Sequence, residues 1–122
     1  MKKFLLSLAF CLPVLCHAAG NDDQTKQWRH DFALCAHYET MLRVAIGSRV
    51  MQMSPQQAFK QLSDTRVSLR GFPFPDAPSL TDSQLKFIVN EAYFGRFSTI
   101  DSLPSIPCHE LASRPSGWKP LR

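Results

Sequence analysis

The stretch QTKQWRHDFALCAHYETMLRVAIGSRVM (residues 24–51) decides the fold. Its apolar side chains recur at helical spacing in two adjacent rows, Trp28, Phe32, Cys35, Leu42 and Ile46 in one and Leu34, Tyr38, Met41 and Ala45 in the other. No proline interrupts the stretch, so we predict a long helix with a broad apolar face. Such a helix is not stable alone in water, and the rest of the chain must cover that face. Gly47 interrupts the pattern, and we expect it to mark a close helix crossing or a frayed end.

The segment before this stretch has the pattern of an export signal. Lys2 and Lys3 precede an apolar run (residues 4–15) that is too short to span a bilayer, and small residues flank His17 where a signal peptidase reads. We expect a cleaved signal peptide over residues 1–18 and a single helical domain over residues 19–122. Phe10 and Leu15 precede the two cysteines of the signal, where a lipoprotein signal would have Gly or Ala, so no lipid anchor is expected.

Charge and hydropathy exclude two classes of partner. The 122-residue chain has a formal net charge of +4, which falls to +2 when residues 1–18 are removed, because Lys2 and Lys3 leave and no acidic residue does. This charge is too small to indicate a nucleic-acid partner, which usually requires a dense basic face. No second apolar run has membrane length, so we expect no membrane attachment after signal cleavage.

Two cysteines remain after signal cleavage, Cys35 and Cys108. An even pair in an exported protein favours one structural disulfide. It would close a loop of about 70 residues, for which the chain-entropy relation gives roughly 4 kcal/mol. The alternative is a redox pair, but the sequence has no Cys-x-x-Cys motif, and a buried position on a helix is poor for a reactive thiol.

Two further helices begin with the same capping pattern. Ser54-Pro55-Gln56-Gln57 predicts a second helix that ends near Ser63 to Thr65, and Thr81-Asp82-Ser83-Gln84 predicts a third that stops at Gly95. In each, the hydroxyl caps the helix and the glutamine three residues later reaches back to the cap. The third helix has apolar residues at clean helical spacing at Leu85, Ile88, Val89, Ala92 and Tyr93.

Residues 66–79 connect these helices and contain RGFPFPDAP (residues 70–78). Closely spaced prolines forbid a helix and favour extended backbone. Phe72 and Phe74 either cover the core from a rigid connector or are displayed on an exposed arm that docks a partner. We take these two phenylalanines, with Arg66 and Arg70, as the candidate partner-binding residues.

The C-terminal part is broken up by prolines from Pro104 onward. One short helix is predicted around residues 106–113, with Cys108 and Leu111 facing inward. We expect residues 114–122 to form a loosely ordered tail in which Trp118 anchors the end.

No arrangement of residues indicates catalysis or metal binding. His30 and His37 lie two helical turns apart, about 10 Å, which is too far to share one metal, so solvated or capping histidines are expected. No serine lies in a Gly-x-Ser-x-Gly motif, and the carboxylate pair Asp22-Asp23 lies in the N-terminal segment. Five arginines could form a cluster for a carboxylate or phosphate, against the simpler expectation of dispersed, solvated side chains: Arg43, Arg49, Arg66, Arg70 and Arg96. We predict no catalytic residue, no metal site and no cofactor.

The order of these features resembles that of small, largely uncharacterised exported helical proteins of Gram-negative bacteria. The features that carry the resemblance are the signal peptide, Cys35 in the first helix, Arg43 with Gly47-Ser48-Arg49, Ser54-Pro55-Gln56-Gln57, Asn90-Glu91-Ala92-Tyr93 and the late Cys108. The resemblance implies a compact helical domain with Cys35 bonded to Cys108 and implies no activity. The Phe-Pro connector and the proline-rich tail depart from that plan.

Taken together, the sequence predicts an all-α protein, a small three- to four-helix bundle stapled by one disulfide, with a Pro-rich connector and a Pro-rich C-terminal tail. We expect a periplasmic or secreted protein that binds another protein, for example as an inhibitor or immunity partner of a toxin or hydrolase. This function rests on elimination and on analogy of size and compartment. The alternative is an envelope-stress or chaperone-like factor, and a small enzyme comes third.

Overall fold

The computed structural model describes the backbone of residues 2–114 and the side chains of residues 23–114. It is all-helical, with α1 (Lys2–Val50), α2 (Pro55–Ser68), α3 (Asp82–Tyr93) and α4 (Cys108–Ala112), and no strand occurs among residues 2–114. Cys35 and Cys108 form a disulfide with their Cα atoms 5.6 Å apart. The predictions of an all-α fold and of this disulfide are confirmed.

The predicted boundaries at the two ends of the chain stay predictions. The helix α1 begins at Lys2, before the expected cleavage site after Ala18. The expected tail (residues 114–122) lies outside the described residues except for Arg114, and so does its anchor Trp118.

From Asp23 to Arg114, no helix combines the length and the hydropathy needed to cross a bilayer.

The core lies on the apolar face that the spacing of α1 predicts. From that helix, Cys35, Tyr38, Met41, Leu42, Ala45 and Ile46 are buried, and α2 and α3 cover them with Ala58, Leu62, Leu85, Ile88, Val89 and Ala92. Leu62 and Leu85 are fully enclosed. Truncation of such a leucine to alanine costs about 2–5 kcal/mol, because the lost burial adds to the cost of the cavity.

Both predicted capping boxes are present. Ser54 Oγ accepts from the backbone N–H of Gln57, whose side chain accepts from the Ser54 N–H, and Thr81 and Gln84 do the same at α3. The third helix ends at Tyr93, just before Gly95, where an added Cβ would lie 2.9 Å from the backbone Cα of Glu91. The position therefore requires glycine.

Two local predictions were wrong. The second helix continues to Ser68 instead of ending near residues 63–65. No glycine or proline occurs in it after Pro55, and the hydroxyls of Thr65 and Ser68 bond back to the carbonyls four residues earlier. Gly47 marks neither a close crossing nor a frayed end. Beyond its own turn of helix, no atom lies within 4 Å of a Cβ built there, and the helix continues to Val50.

After α3 the chain returns along α1 in the opposite direction, over residues 94–114, the return segment. The Arg49 guanidinium donates to the carbonyls of Phe97 and Ile100, and Glu39 accepts from the Ile106 N–H at 2.6 Å. The disulfide follows at Cys35, and Trp28 Nε1 donates to Ser113 Oγ at 3.0 Å. Later residues of the return segment contact earlier residues of α1, so the two run antiparallel.

Candidate functional site

The candidate site is the connector loop between α2 and α3 (residues 69–81). It leaves α2 through a tight turn in which the Phe72 N–H donates to the Leu69 carbonyl at 3.0 Å. Gly71 has φ +76°, a left-handed conformation that glycine adopts without the steric cost other residues meet. The Phe72–Pro73 peptide bond is cis. The turn directs the chain back across α1 at the level of residues 29–37.

His37 is the first anchor of this loop. Its imidazole is buried, and Nε2 contacts the carbonyl oxygen of Phe72. A carbonyl can only accept, so Nε2 is the ring nitrogen that donates in this contact. Nδ1 is also buried and has no hydrogen-bond partner among the described residues. This geometry ties the backbone of the loop to the middle of α1.

Phe74 is the second anchor. Its ring centroid lies 6.1 Å from that of Phe32, which in turn stacks on Trp28 at 5.0 Å. The Arg29 guanidinium also lies 4.4 Å from the Phe74 centroid and binds Asp76 at 3.1 Å. A cation–π contact at such an exposed site stabilises by about 0.5–1 kcal/mol, and the solvated ion pair adds little.

The two phenylalanines, whose roles the sequence left undecided, lie in different environments. Phe74 is partly buried against α1, whereas Phe72 is 52% exposed although its own carbonyl is held by His37. One phenylalanine therefore fixes the loop and the other is displayed by it. The role of both in partner binding stays a prediction.

Arg66 and Arg70, the two arginines predicted to bind a partner together with these phenylalanines, also lie in different environments. Arg66 Nη1 lies 2.7 Å from Asp82 Oδ1 and 3.2 Å from the Leu80 carbonyl, so it joins the end of α2 to the start of α3. Arg70 is exposed beside Gly71 and, among residues 23–114, makes no ion pair. Of the two, Arg70 is the one whose charge is open to a partner.

The remaining candidate groups do not gather into one site. Arg49 holds the return segment, Arg43 lies 4.0 Å from Glu39, and Arg96 binds Glu91. No three His, Cys, Asp or Glu side chains between Asp23 and Arg114 are grouped as a metal would require. His37 corrects the expectation of solvated or capping histidines, because it is enclosed in the core.

Among residues 23–114, three side chains have displaced pKa values, and none of the three belongs to the connector loop. Burial raises the pKa of the Tyr38 and Tyr93 phenols. The pKa of the Glu91 carboxyl is lowered mainly by the backbone N–H of Arg96, which donates to Glu91 Oε2 at 2.9 Å. That carboxylate fixes the turn where the return segment begins.

Sequence analysis missed His37 and Arg29 as the residues that position the loop. For His37 a signal existed, since it lies four residues after Ala33 and four before Met41, both fully buried, and so shares their helical face. For Arg29 no local pattern indicated that its partners would be Phe74 and Asp76, 45 and 47 residues further along the chain.

Comparison of the chain with family models, with curated proteins and with solved structures found no match.

Proposed function

We propose that this chain is an exported protein-binding module of the periplasm, an inhibitor or immunity partner that neutralises a toxin or hydrolase. In this proposal a small helical bundle, stapled by the disulfide, presents its Pro-rich connector loop to the partner. Phe72 is the central contact residue, and Arg70 is the charged residue beside it.

The observation that supports the proposal is a large apolar side chain displayed on an anchored backbone. The backbone that carries Phe72 is held at two points. The Phe72 carbonyl contacts His37, and the ring of Phe74, two positions later, packs against Phe32 and Arg29. Binding costs free energy when a flexible segment must be ordered, and a loop that is already fixed avoids much of this cost. An aromatic side chain presented in this way is suited to become a binding hot spot.

The surroundings of Phe72 have the composition of a contact surface. Val67, on the last turn of α2, is 55% exposed, and Arg70 and Phe72 follow it within five residues. The Arg70 N–H donates to the Val67 carbonyl at 3.3 Å, so the two residues lie in one turn. Aromatic residues and arginine are enriched in protein interfaces relative to the rest of the surface.

Phe94 offers a matched control for the test. It is also an exposed phenylalanine, at 72%, but it lies at the C-terminal end of α3 near the turn between α1 and α2, where Tyr93 Oη donates to the Met53 carbonyl at 2.7 Å. Both Phe72→Ala and Phe94→Ala should leave the free energy of unfolding within about 0.5 kcal/mol of the wild type, because neither ring is in the core.

The experiment is affinity capture from periplasmic extract with wild-type, F72A and F94A proteins as baits, read by quantitative mass spectrometry. We expect a protein that wild type and F94A capture equally and that F72A captures at least about tenfold less, as loss of a hot spot predicts. Equal capture by F72A and F94A would contradict the proposal. A chaperone-like factor would instead bind many unfolded proteins and lose binding in both variants.

A further inference from the structure

A groove lies between the connector loop and the first described turns of α1. Its α1 wall presents Lys26, Arg29 and His30, and its loop wall presents Phe74, Asp76 and Pro78. Its volume is about 280 Å³, slightly below the range of about 300–1,000 Å³ typical of pockets for drug-sized ligands. The groove is therefore suited to one or two side chains of a larger partner.

The charges of this groove are unbalanced in favour of cations. Arg29 and Asp76 bind each other at 3.1 Å and so neutralise each other. His30 Nδ1 lies 3.5 Å from Asp31, whose carboxylate is buried and also accepts from Gln27. Lys26 is exposed and, within residues 23–114, has no ion pair. It is the cation whose charge remains for a ligand.

Apart from Asp76, which pairs with Arg29, the loop wall is apolar. The Phe74 ring contacts both Phe32 and the Arg29 guanidinium, and Ala77 and Pro78 continue this wall toward α3. A ligand that fits both walls has a carboxylate next to an apolar side chain. A free inorganic anion would use only the cationic wall.

We propose that the groove binds an acidic segment of the partner protein, with one Asp or Glu carboxylate on Lys26 and a neighbouring apolar side chain against Phe74 and Pro78. This inference rests on the proposed function and names the chemistry of the partner segment beside Phe72. Phe74 follows Phe72 by two positions, at most about 7 Å of extended chain, so one segment can reach both. Residues 115–122 contain Lys119 and Arg122 and no Asp or Glu, so they offer no acidic side chain to Lys26.

The test uses random dodecapeptides displayed on phage and selected on the wild-type protein. We expect the recovered peptides to be enriched in Asp or Glu next to an apolar residue. A synthetic peptide of the recovered sequence should bind Lys26→Glu at least about fivefold more weakly, because an attraction is replaced by a repulsion. Arg29 is left unchanged because it anchors the loop.

Lys60→Glu is the matched control, since Lys60 is an exposed lysine on α2 and the change in net charge is the same. It should leave peptide binding unchanged. Recovery of peptides without acidic enrichment, or equal weakening by K26E and K60E, would overturn the inference.

Capture from periplasmic extract separates this inference from the proposed function. If F72A weakens capture and K26E does not, the acidic-segment proposal alone is overturned. If F72A leaves capture unchanged, the proposed function is overturned. Weakening by both variants, with K60E unchanged, is the result that we expect.

Discussion

The return segment and the connector loop both lie against α1, but they are held there by different kinds of interaction. The return segment is joined to α1 by a covalent bond between Cys35 and Cys108, together with the bonds of Arg49 and Glu39 to its backbone. The connector loop is held against α1 by the hydrogen bond of His37 to the Phe72 carbonyl, by the ion pair of Arg29 with Asp76 and by the packing of Phe74. We therefore expect a change in the contacts between the loop and α1 to cost less stability than a change in the covalent link of the return segment.

Removal of the covalent link should have the largest effect on stability. Replacement of Cys35 and Cys108 together by alanine opens a loop with a sequence separation of 73 residues. The chain-entropy relation predicts a loss of roughly 4 kcal/mol in the free energy of unfolding. Denaturant unfolding followed by circular dichroism measures it, with the wild type as reference.

Helical circular dichroism of the double variant should persist at low temperature, because the apolar face of α1 stays covered by α2 and α3. An unchanged melting temperature would mean that the disulfide does not stabilise the fold, and the contrast between the two segments would be lost.

Loss of the His37 anchor should have a smaller and more local effect. His37→Leu removes the donor to the Phe72 carbonyl, and the free energy of unfolding should fall by about 1 kcal/mol. Hydrogen exchange should accelerate at the amides of Phe72 and Ala77, which bond within the loop, and not at Ile88 in α3.

His37→Gln is the matched control, since the glutamine amide nitrogen can donate from a position close to that of Nε2. It should restore slow exchange in the loop. If both variants exchange as the wild type does, His37 does not hold the loop.

The smallest expected effect is on the acid dependence of the free energy of unfolding, through Glu91 at the start of the return segment. The pKa of Glu91 is lower in the folded protein than in the unfolded chain, so its contribution is fully present above the unfolded value and is lost as the pH falls through the folded value. Glu91→Gln should remove this part of the acid sensitivity. Unfolding curves measured from neutral pH down to pH values below the folded pKa compare the two proteins, and parallel losses of stability would contradict the assignment.

The same contrast explains what the sequence could predict. Helical spacing reports which face of α1 is buried, and local capping boxes locate the starts of α2 and α3, because both signals depend on residues a few positions apart. The disulfide followed from the count of cysteines. The path of the connector loop depends on contacts between residues 35 to 47 positions apart, such as His37 with Phe72 and Arg29 with Asp76. No local pattern encodes them, so the sequence left the different roles of Phe72 and Phe74 undecided.

The central claim is that α1, through His37, holds the loop in the conformation that displays Phe72 to a partner. A double-mutant cycle of His37→Leu and Phe72→Ala tests it most directly, with the dissociation constant for the captured protein as the measured quantity. Introduced into the wild-type protein, H37L should weaken binding of the captured protein severalfold. Introduced into F72A, it should have no further effect, because His37 acts through Phe72. Equal weakening by H37L in both backgrounds, or no weakening by F72A, would contradict the claim.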